Sequence, residues 1–256
     1  MRSFFELQLS AVEIQIMAAL LGYESVFGIK DEEFISREAD AGRRIRQHVQ
    51  RMEERKLIRY ELDGTLYVDS ELRLAMRCMC EAETIGIFSN NLEGKHNTIY
   101  VMGRENRFVY LERQETVYTI SLCDALVQEK IFPKIIAENE NSLNETISFE
   151  TVRSIRELLE AFESVKARSM LQANVNNPDS VNPIEKILSG KCGYVSGQIY
   201  KKGRLLYKLT GNRLCFITEG CVVDIAADEK QEIHINSVQP QNVIDRLELQ
   251  MGYRKK

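Results

Sequence analysis

The spacing of apolar residues changes at about residue 84, and this change limits the folds open to the 256-residue chain. Before it, apolar residues recur at helical intervals, whereas after it they alternate with polar residues, which is typical of strands. Four alternating runs follow one another, IGIFSN, TIYVMG, RFVYLER and TVYTISLC. They predict four consecutive strands of an antiparallel meander, because short connections join antiparallel neighbours.

A second set of alternating runs lies nearer the C terminus: GYVSGQIYKK, RLLYKLTG, RLCFITEG, CVVDIAAD and EIHINSV, followed by the helical run NVIDRLELQM. Residues 107–131 and 221–247 share one order of strand, charged turn, strand, short polar segment and helix. We therefore interpret the chain as two weakly duplicated halves, each a meander followed by a helix. The alternative, that two antiparallel meanders simply look alike, stays open.

The segment before residue 84 has the pattern of a winged-helix unit. Ser10 is placed to cap a helix that Gly22 ends, DEEFISREADA predicts a second helix, and residues 43–56 predict a third. Asp63 and Gly64 form the preferred two-residue turn of a hairpin. SELRLAMRCMC then predicts a fourth helix. Three helices followed by a two-stranded hairpin predict a winged-helix-like N-terminal unit.

Between the two meanders, the sequence predicts helices separated by linkers. Residues 124–137 predict a helix that Pro133 bends or ends. The polar run at 138–148 lacks periodicity and predicts a surface linker. Residues 151–175 have an amphipathic pattern that predicts one long helix. The turn-rich residues 176–183 predict a second linker.

Together these patterns predict an α+β fold whose antiparallel sheet is built from two pseudo-duplicated halves. We divide the chain into four segments of one compact domain. They are the winged-helix-like unit at 1–83, the first meander and helix at 84–137, a linker with the long helix at 138–183, and the second meander and helix at 184–256.

The sequence carries no local signature of catalysis. His48, His96 and His234 are far apart in the chain, and the six cysteines lack the spacing of a zinc site. No phosphate-binding loop, dinucleotide fingerprint or nucleophile turn occurs in the sequence. We therefore expect no enzyme activity, no cofactor and no metal.

The N-terminal run MRSFFELQLSAVEIQIMAALLG is interrupted by Glu6 and Glu13, whereas a signal peptide needs a clean apolar core. No apolar run approaches the about 20 residues that a membrane-spanning helix requires. The net charge of −4 provides no general attraction to nucleic acid or acidic membranes. The sequence therefore predicts a cytoplasmic protein without membrane insertion.

The helix predicted at 43–56 is the strongest pointer to nucleic acid. Basic and amide side chains near its start would touch phosphates and base edges, as in a recognition helix. The candidate DNA-binding residues are Arg43, Arg44, Arg46, Gln47, Gln50 and Arg51. The corresponding alternative function is a winged-helix transcriptional regulator with a β-rich effector domain.

The charge around this helix disfavours DNA binding. Glu53 and Glu54 interrupt the basic run, and the predicted wing has no Lys or Arg between Arg59 and Arg73. Residues 1–80 contain 12 Lys and Arg against 14 Asp and Glu, a net charge of −2. A DNA-reading module is normally clearly basic.

A series of short motifs resembles the EspG family, the cytosolic chaperones of type VII (ESX) secretion systems. In that family an apolar helix ending in Leu-Gly precedes a Gly-Arg-Arg helix, a Leu-(Ile/Leu) pair and an Asp-Gly turn. The matching residues here are Phe5-Glu6-Leu7, Ser10-Ala11-Val12-Glu13, Leu20-Leu21-Gly22, Ala41-Gly42-Arg43-Arg44, Leu57-Ile58, Asp63-Gly64 and Val68 through Leu72. The pseudo-duplicated sheet also matches the family's architecture, while the sheet residues differ greatly, as in a distant member.

The resemblance implies a non-catalytic adaptor that binds a helical-hairpin export substrate and keeps its apolar tip soluble and export-competent. The candidate partner-binding residues are Tyr100, Phe108, Tyr110 and Tyr118, on adjacent predicted strands. An aromatic stripe would supply binding energy at a low entropic cost. The alternative, that these rings pack under the chain's own helices, stays open, as do the substrate's identity and the oligomeric state.

Overall fold

The computed structural model describes residues 5–29, 41–92, 95–132, 143–204, 206–218 and 221–252. Its strands are β1 (Phe5–Ser10), β2 (Ile58–Tyr60), β3 (Leu66–Val68), β4 (Thr84–Leu92), β5 (Lys95–Arg104), β6 (Arg107–Gln114), β7 (Val117–Cys123), β8 (Asn144–Ser148), β9 (Gly193–Lys202), β10 (Tyr207–Thr218), β11 (Cys221–Ala227) and β12 (Glu232–Val238). Its helices are α1 (Ala11–Leu20), α2 (Ala41–Glu54), α3 (Ser70–Cys80), α4 (Gln128–Ile131), α5 (Phe149–Glu160), α6 (Ser164–Gln172), α7 (Val181–Leu188) and α8 (Pro240–Gln250), with a 3-10 turn at Pro178–Ser180.

Ten of these strands form one antiparallel sheet in the order β1-β7-β6-β5-β4-β9-β10-β11-β12-β8. The two predicted meanders, β4 to β7 and β9 to β12, are present and meet where β4 pairs with β9. Each half also has an edge strand that precedes its meander in the chain, because β1 pairs with β7 and β8 pairs with β12. The α+β fold with a large antiparallel sheet is confirmed. The division into four segments stays a prediction.

The strand β1 was not predicted, because the N-terminal apolar run was considered only as a signal peptide or a membrane span. Ser10 ends β1 and caps α1 as predicted, and its side chain accepts a hydrogen bond from the Glu13 amide. The Glu13 carboxylate accepts in turn from the Ser10 amide at 2.8 Å, which completes a capping box. Arg55 joins α2 to this junction by donating to the Gln8 carbonyl at 2.7 Å and pairing with Glu13.

The predicted hairpin is present as β2 and β3, a separate two-stranded sheet. Gly64 adopts a φ of 82°, which the turn requires and which glycine tolerates. The Asp63 side chain accepts from the Thr65 amide at 2.8 Å. The helices predicted on either side of the hairpin correspond to α2 and α3. The helix predicted at 31–41 lies outside the described residues except for Ala41, which begins α2. The winged-helix comparison therefore stays a prediction.

Four predictions for the middle of the chain and the second meander were wrong. The predicted linker at 138–148 contains the edge strand β8, and the second linker contains the start of α7. The long helix predicted at 151–175 is divided into α5 and α6, because Phe162 adopts a left-handed φ of 60° that no continuous α-helix permits. The runs RLLYKLTG and RLCFITEG form the single strand β10, which has a register shift between Leu209 and Gly211.

The helix predicted at 124–137 is reduced to the single turn of α4, and residues 133–137 lie outside the described part of the chain. Side chains from other elements bind the backbone amides before it. The Glu248 carboxylate accepts from the Leu126 amide, and the Tyr110 hydroxyl accepts from the Val127 amide. These interactions hold the chain against the sheet and α8, so the helix begins only at Gln128.

The helices cover the two faces of the sheet differently. On one face lie a first helical group (α1, α2 and α3) and a second helical group (α5, α6 and α7), each with its own apolar core. The opposite face carries a third core, to which Leu126, Ile131 and α8 contribute. The strand register shows that the first two cores share a face, because side chains paired across neighbouring strands point the same way.

Candidate partner-binding surface

Among the described residues, the two helical groups leave a gap between them over the middle of the sheet. The helix α3 packs against β5, β6 and β7, and α7 packs against β10, so the helices stand on either side of β4 and β9. We call the residues exposed in this gap the central strip: Ile87 and Ser89 of β4, and Tyr194, Ser196, Gln198 and Tyr200 of β9. Each of them is half-buried or exposed. The middle of a large sheet is normally covered on both faces or strongly polar, so this strip is a candidate binding surface.

The middle of the central strip is polar but uncharged. The Ser89 and Thr98 hydroxyls lie 3.1 Å apart, and the Ser196 hydroxyl lies 3.4 Å from the Ser89 carbonyl. The Tyr200 hydroxyl donates to the Gln198 side-chain oxygen at 2.9 Å. Such hydroxyl and amide groups can exchange hydrogen bonds with a partner at little desolvation cost compared with charged groups.

One end of the central strip is aromatic. Tyr100, Tyr200 and Tyr207 pack against the same core, and the Phe27 ring lies between two of them, 5.9 Å from the Tyr100 ring and 6.3 Å from the Tyr207 ring. The Tyr207 hydroxyl donates to the Ala82 carbonyl at 2.6 Å, while burial raises the pKa of this phenol. A side chain at Gly28 would press against the Tyr100 ring, so the glycine allows the loop after α1 to cover one side of that ring. Phe27 itself stays 39% exposed.

On the β10 side of Tyr194 and Ser196, the same face of the sheet carries a groove of about 780 Å³. Its floor is formed by the sheet and its walls by the α5–α6 turn and the end of α7. The apolar lining residues are Leu159, Phe162, Ile187, Leu214, Phe216 and Ile225. Phe162 is 92% exposed at the mouth, and Leu214 is 44% exposed on the floor. An aromatic side chain that is held in solvent by a strained backbone is a candidate anchor for a partner.

The four aromatic residues predicted to bind a partner do not form one stripe. Tyr100 and Tyr118 lie on the face of the helical groups, whereas Phe108 and Tyr110 lie on the opposite face in the core beneath α8. The rings fall on two faces because Tyr100 pairs with Leu111, so Tyr110 points to the opposite side of the sheet from Tyr100. Phe108, Tyr110 and Tyr118 are at most 3% exposed. Partner contact by these residues stays a prediction, and only Tyr100 reaches the surface.

The sequence interpretation missed the residues of the strip and the groove. The run GYVSGQIYKK was correctly predicted as a strand, but its alternating Tyr, Ser, Gln and Tyr side chains were not recognised as a separate face. That face was the available signal, because Tyr194, Ser196 and Gln198 point to one side of a strand at the centre of the sheet. Phe162 gave no signal, since it fitted the apolar stripe of a continuous helix.

The candidate DNA-binding residues lie together on α2. Arg43, Arg44, Arg46, Gln47, Gln50 and Arg51 are all exposed there. The Gln50 amide donates to the Glu54 carboxylate at 3.0 Å, which places an acidic group directly beside this row. DNA binding by these residues stays a prediction.

A cluster of two carboxylates and a histidine has the residue types of a metal site. Ligand atoms of Asp228, Glu232 and His234 lie within 4.8 Å of one another near the β11–β12 turn. The turn itself accounts for this arrangement, because Asp228 accepts from the amides of Lys230 and Glu232. The Glu232 amide, the His234 side chain and the Lys230 amide together lower the pKa of Asp228 despite slight desolvation. His234 also contacts Thr146 of β8 at 3.1 Å, so it fastens the edge strand.

The fold is shared with a class of secretion chaperones. One solved structure with a similar fold is the Mycobacterium tuberculosis type VII secretion system chaperone EspG5 in complex with a PE25–PPE41 dimer. It matches with a TM-score of 0.61 over 94% of this chain and 94% of that chain, at 11% sequence identity. No family model and no curated protein sequence matches the chain. The described helices include none that is long and apolar enough to cross a membrane.

Proposed function

We propose that this protein is a cytoplasmic adaptor that binds a helical type VII secretion substrate and keeps it soluble and export-competent, without catalysis. The uncovered central strip carries this proposal, because it places aromatic and apolar side chains on a rigid sheet where a partner can reach them. Sites on strands hold their side chains in place, so little conformational entropy is lost on binding.

The fold likeness supports the proposal from a separate direction. EspG5 has the same arrangement over nearly its whole length and was solved with a PE25–PPE41 dimer bound. A partner of this chain would be a helical hairpin whose apolar tip must be covered before export. Covering the tip with the strip and the groove would replace its exposure to water by apolar contact, at roughly 25 cal/mol for each Å² buried.

The proposal is tested by co-expressing the protein with the helical-hairpin substrates of its own secretion system. We expect a stoichiometric complex by size-exclusion chromatography with light scattering, and a larger soluble fraction of the substrate. Leu214→Lys in the groove should abolish the complex. Leu249→Lys is the matched control, because Leu249 is 74% exposed on α8, on the opposite face of the sheet.

Two results would overturn the proposal. One is that no substrate of the system forms a complex with the wild-type protein. The other is that both lysine variants bind the substrate as well as the wild type does. Tight, sequence-selective DNA binding at physiological salt, lost on substitution of Arg43 and Arg46, would favour the transcriptional regulator instead.

A further inference from the structure

The end of the β9–β10 hairpin carries a concentration of positive charge. Residues 186–218 contain seven Lys and Arg and no Asp or Glu, although the chain as a whole has a net charge of −4. Four of the seven lie within eight positions at the end of the hairpin: Lys201, Lys202, Arg204 and Lys208. Each is exposed, and none forms an ion pair within the described part of the chain. We call these four residues and Leu206 the basic tip.

The strand register places two of these cations side by side. Lys201 and Lys208 lie directly opposite each other on β9 and β10, and like charges in such a pair destabilise a sheet. Lysine on an edge strand can serve only to prevent pairing with other chains. Lys201 is not on an edge, because β9 pairs with β4 on one side and with β10 on the other. An anionic partner outside the sheet would relieve the repulsion between the two lysines.

The turn of the hairpin holds an apolar side chain in solvent. The Gly203 amide donates to the Leu206 carbonyl at 2.9 Å. A side chain at Gly203 would come within 2.8 Å of the same oxygen, so the close approach requires glycine. Leu206 is 76% exposed in this turn. Because β10 pairs with β11 only over Cys215–Thr218, no strand of the described residues pairs with Tyr207–Leu214 on that side. A large partner can therefore approach the end of the hairpin.

Positive charge lies on both faces of the hairpin. Lys201 and Lys208 point to the face that carries α8, because the register sets them in one row with Phe108. Lys202 follows Lys201 and points to the other face. A ligand that lies against one face would miss part of this charge. An extended surface that the hairpin meets end-on would contact all four cations and the leucine together.

We propose that the basic tip docks the protein on an anionic membrane surface, with Leu206 between the lipid headgroups and the four cations against their phosphates. Each Lys or Arg close to such a surface strengthens binding about fivefold, and an inserted leucine adds apolar burial. The exposed leucine favours a membrane over nucleic acid, because a phosphate backbone offers it no apolar environment.

Membrane docking and cargo binding would use different parts of β9. The groove lies beside Tyr194 and Ser196, whereas the basic tip begins at Lys201. An adaptor docked by this tip would hold its cargo at the membrane that the cargo must cross. The docking proposal goes beyond the adaptor function and does not depend on it.

The β2–β3 hairpin provides a matched control. Leu62 at its end is fully exposed, like Leu206 in being an apolar side chain in a hairpin turn. The sequence neighbours of Leu62 are Glu61 and Asp63, which an anionic surface repels. Lys191, exposed just before the start of β9, is the control for charge, because it lies at the other end of that strand from the basic tip.

Co-sedimentation with vesicles tests the docking. One set of vesicles is phosphatidylcholine alone, and the other contains about one third phosphatidylglycerol. We expect binding to the second set only, and less binding as added salt screens the charges. Lys201→Gln combined with Lys208→Gln should weaken binding about twenty-five-fold, and Leu206→Ser should weaken it about tenfold. Leu62→Ser and Lys191→Gln should bind like the wild type. Circular dichroism establishes that each variant is folded.

A tryptophan reporter tests insertion of the tip directly. The chain contains no tryptophan, so Leu206→Trp introduces a single emitting side chain at the basic tip. Its emission should shift to the blue when vesicles with phosphatidylglycerol are added, and brominated lipid chains should quench it. Leu62→Trp places the same reporter on the acidic hairpin and should show neither change.

Three results would overturn the docking proposal. One is the absence of binding to vesicles that contain phosphatidylglycerol, and another is equal binding to both sets of vesicles. The third is binding that Leu206→Ser leaves unchanged, together with equally strong binding to duplex DNA or polyglutamate, which would identify a general polyanion site. Substrate complexes are measured separately with the same variants and should be unchanged, so failure of one proposal leaves the other standing.

Discussion

The two helical groups cover the same face of the sheet, and they differ in how completely they close it. Under the first group, Met102, Leu111 and Ile120 are fully buried. Under the second group, Leu214, Phe216 and Ile225 keep part of their surface exposed along the groove. The two halves have similar sets of an edge strand, helices and a meander. The helices of the first half cover their part of the sheet completely, whereas those of the second half leave a groove. Closure in the first half favours stability, whereas the opening in the second half leaves the proposed partner surface exposed.

The junction between the edge strand and the helices also differs between the halves. In the first half, Glu13 binds Ser10 within one turn of the chain and pairs with Arg55. In the second half, Glu145 of β8 is 1% exposed and accepts from the Asn176 and Asn177 amides and the Ser180 hydroxyl. It therefore ties β8 to the loop before α7, which forms one wall of the groove. Both junctions therefore use a buried carboxylate, but Glu13 closes a helix cap whereas Glu145 joins its edge strand to a distant loop.

The sharpest test of this contrast compares Leu111→Ala with Ile225→Ala, on the third strand of each meander. Leu111 is fully buried, so we expect a loss of about 4 kcal/mol in the free energy of unfolding through lost burial and a cavity. Ile225 is half-exposed in the groove, and its substitution should cost only about 1 kcal/mol. Urea unfolding measures both values. Equal losses would mean that the second half is as tightly closed as the first.

Glu145→Ala should have the next largest effect, about 3 kcal/mol, because it leaves several donors near the core without their charged acceptor. Urea unfolding followed by circular dichroism measures the loss. Glu229→Ala, an exposed glutamate in the β11–β12 turn, is the control and should change stability by less than about 0.5 kcal/mol. A similarly small change for Glu145→Ala would show that the carboxylate does not hold the wall of the groove.

The same residue makes stability depend on pH. Burial raises the pKa of Glu145, but the hydrogen bonds from Asn176, Asn177 and Ser180 outweigh it, so the pKa lies below its ordinary value of 4.5. A lowered pKa in the folded state stabilises the fold fully above about pH 4.5, and this contribution is lost as the pH falls through the folded value. The difference in unfolding free energy between wild type and Glu145→Gln should therefore shrink below pH 4.5. A constant difference down to pH 3 would contradict this.

The smallest expected change is at Phe162, where stability and binding should move in opposite directions. Phe162→Gly relieves the left-handed backbone strain and removes little packing, so we expect a gain of about 1 kcal/mol in unfolding free energy. Substrate binding should weaken at least tenfold because the anchor is gone. Phe149→Gly is the control, since Phe149 is exposed but helical, and glycine there should destabilise the protein. Loss of stability in Phe162→Gly would show that the ring packs on the groove in the free protein.

Much of the fold followed from local patterns in the sequence. The Asp63-Gly64 turn predicted the small hairpin, and the alternation of TIYVMG and RFVYLER predicted two strands, which are β5 and β6. The edge strands β1 and β8 were missed, since each is short and lies directly before a helix that begins at the next residue. Pairing with β7 and β12, which lie far away in the chain, is what makes them strands.

The candidate site was less predictable than the fold, because it depends on which strands the helices leave uncovered. Aromatic residues such as Tyr110 were predicted to form a binding surface. The strand register instead places the Tyr110 ring in the core on the opposite face of the sheet. The gap above Ser196 exists because α3 and α7 pack on other strands. The residues of GYVSGQIYKK do not show where those helices pack. The break between α5 and α6 is caused by the left-handed backbone of Phe162. An apolar side chain gives no indication of such a backbone conformation.

The central strip lies directly on the seam where β4 pairs with β9, the only pairing in the described sheet that joins the two halves. A partner bound there would touch both halves at once, through Tyr100 on one side and Leu214 on the other. Its binding energy would then add to the cohesion of the whole molecule, by about 2.7 kcal/mol when the partner is at one hundred times its dissociation constant. A rise in melting temperature would therefore detect a partner at this surface without any label, and the complex would resist heat and proteolysis better than the protein does alone.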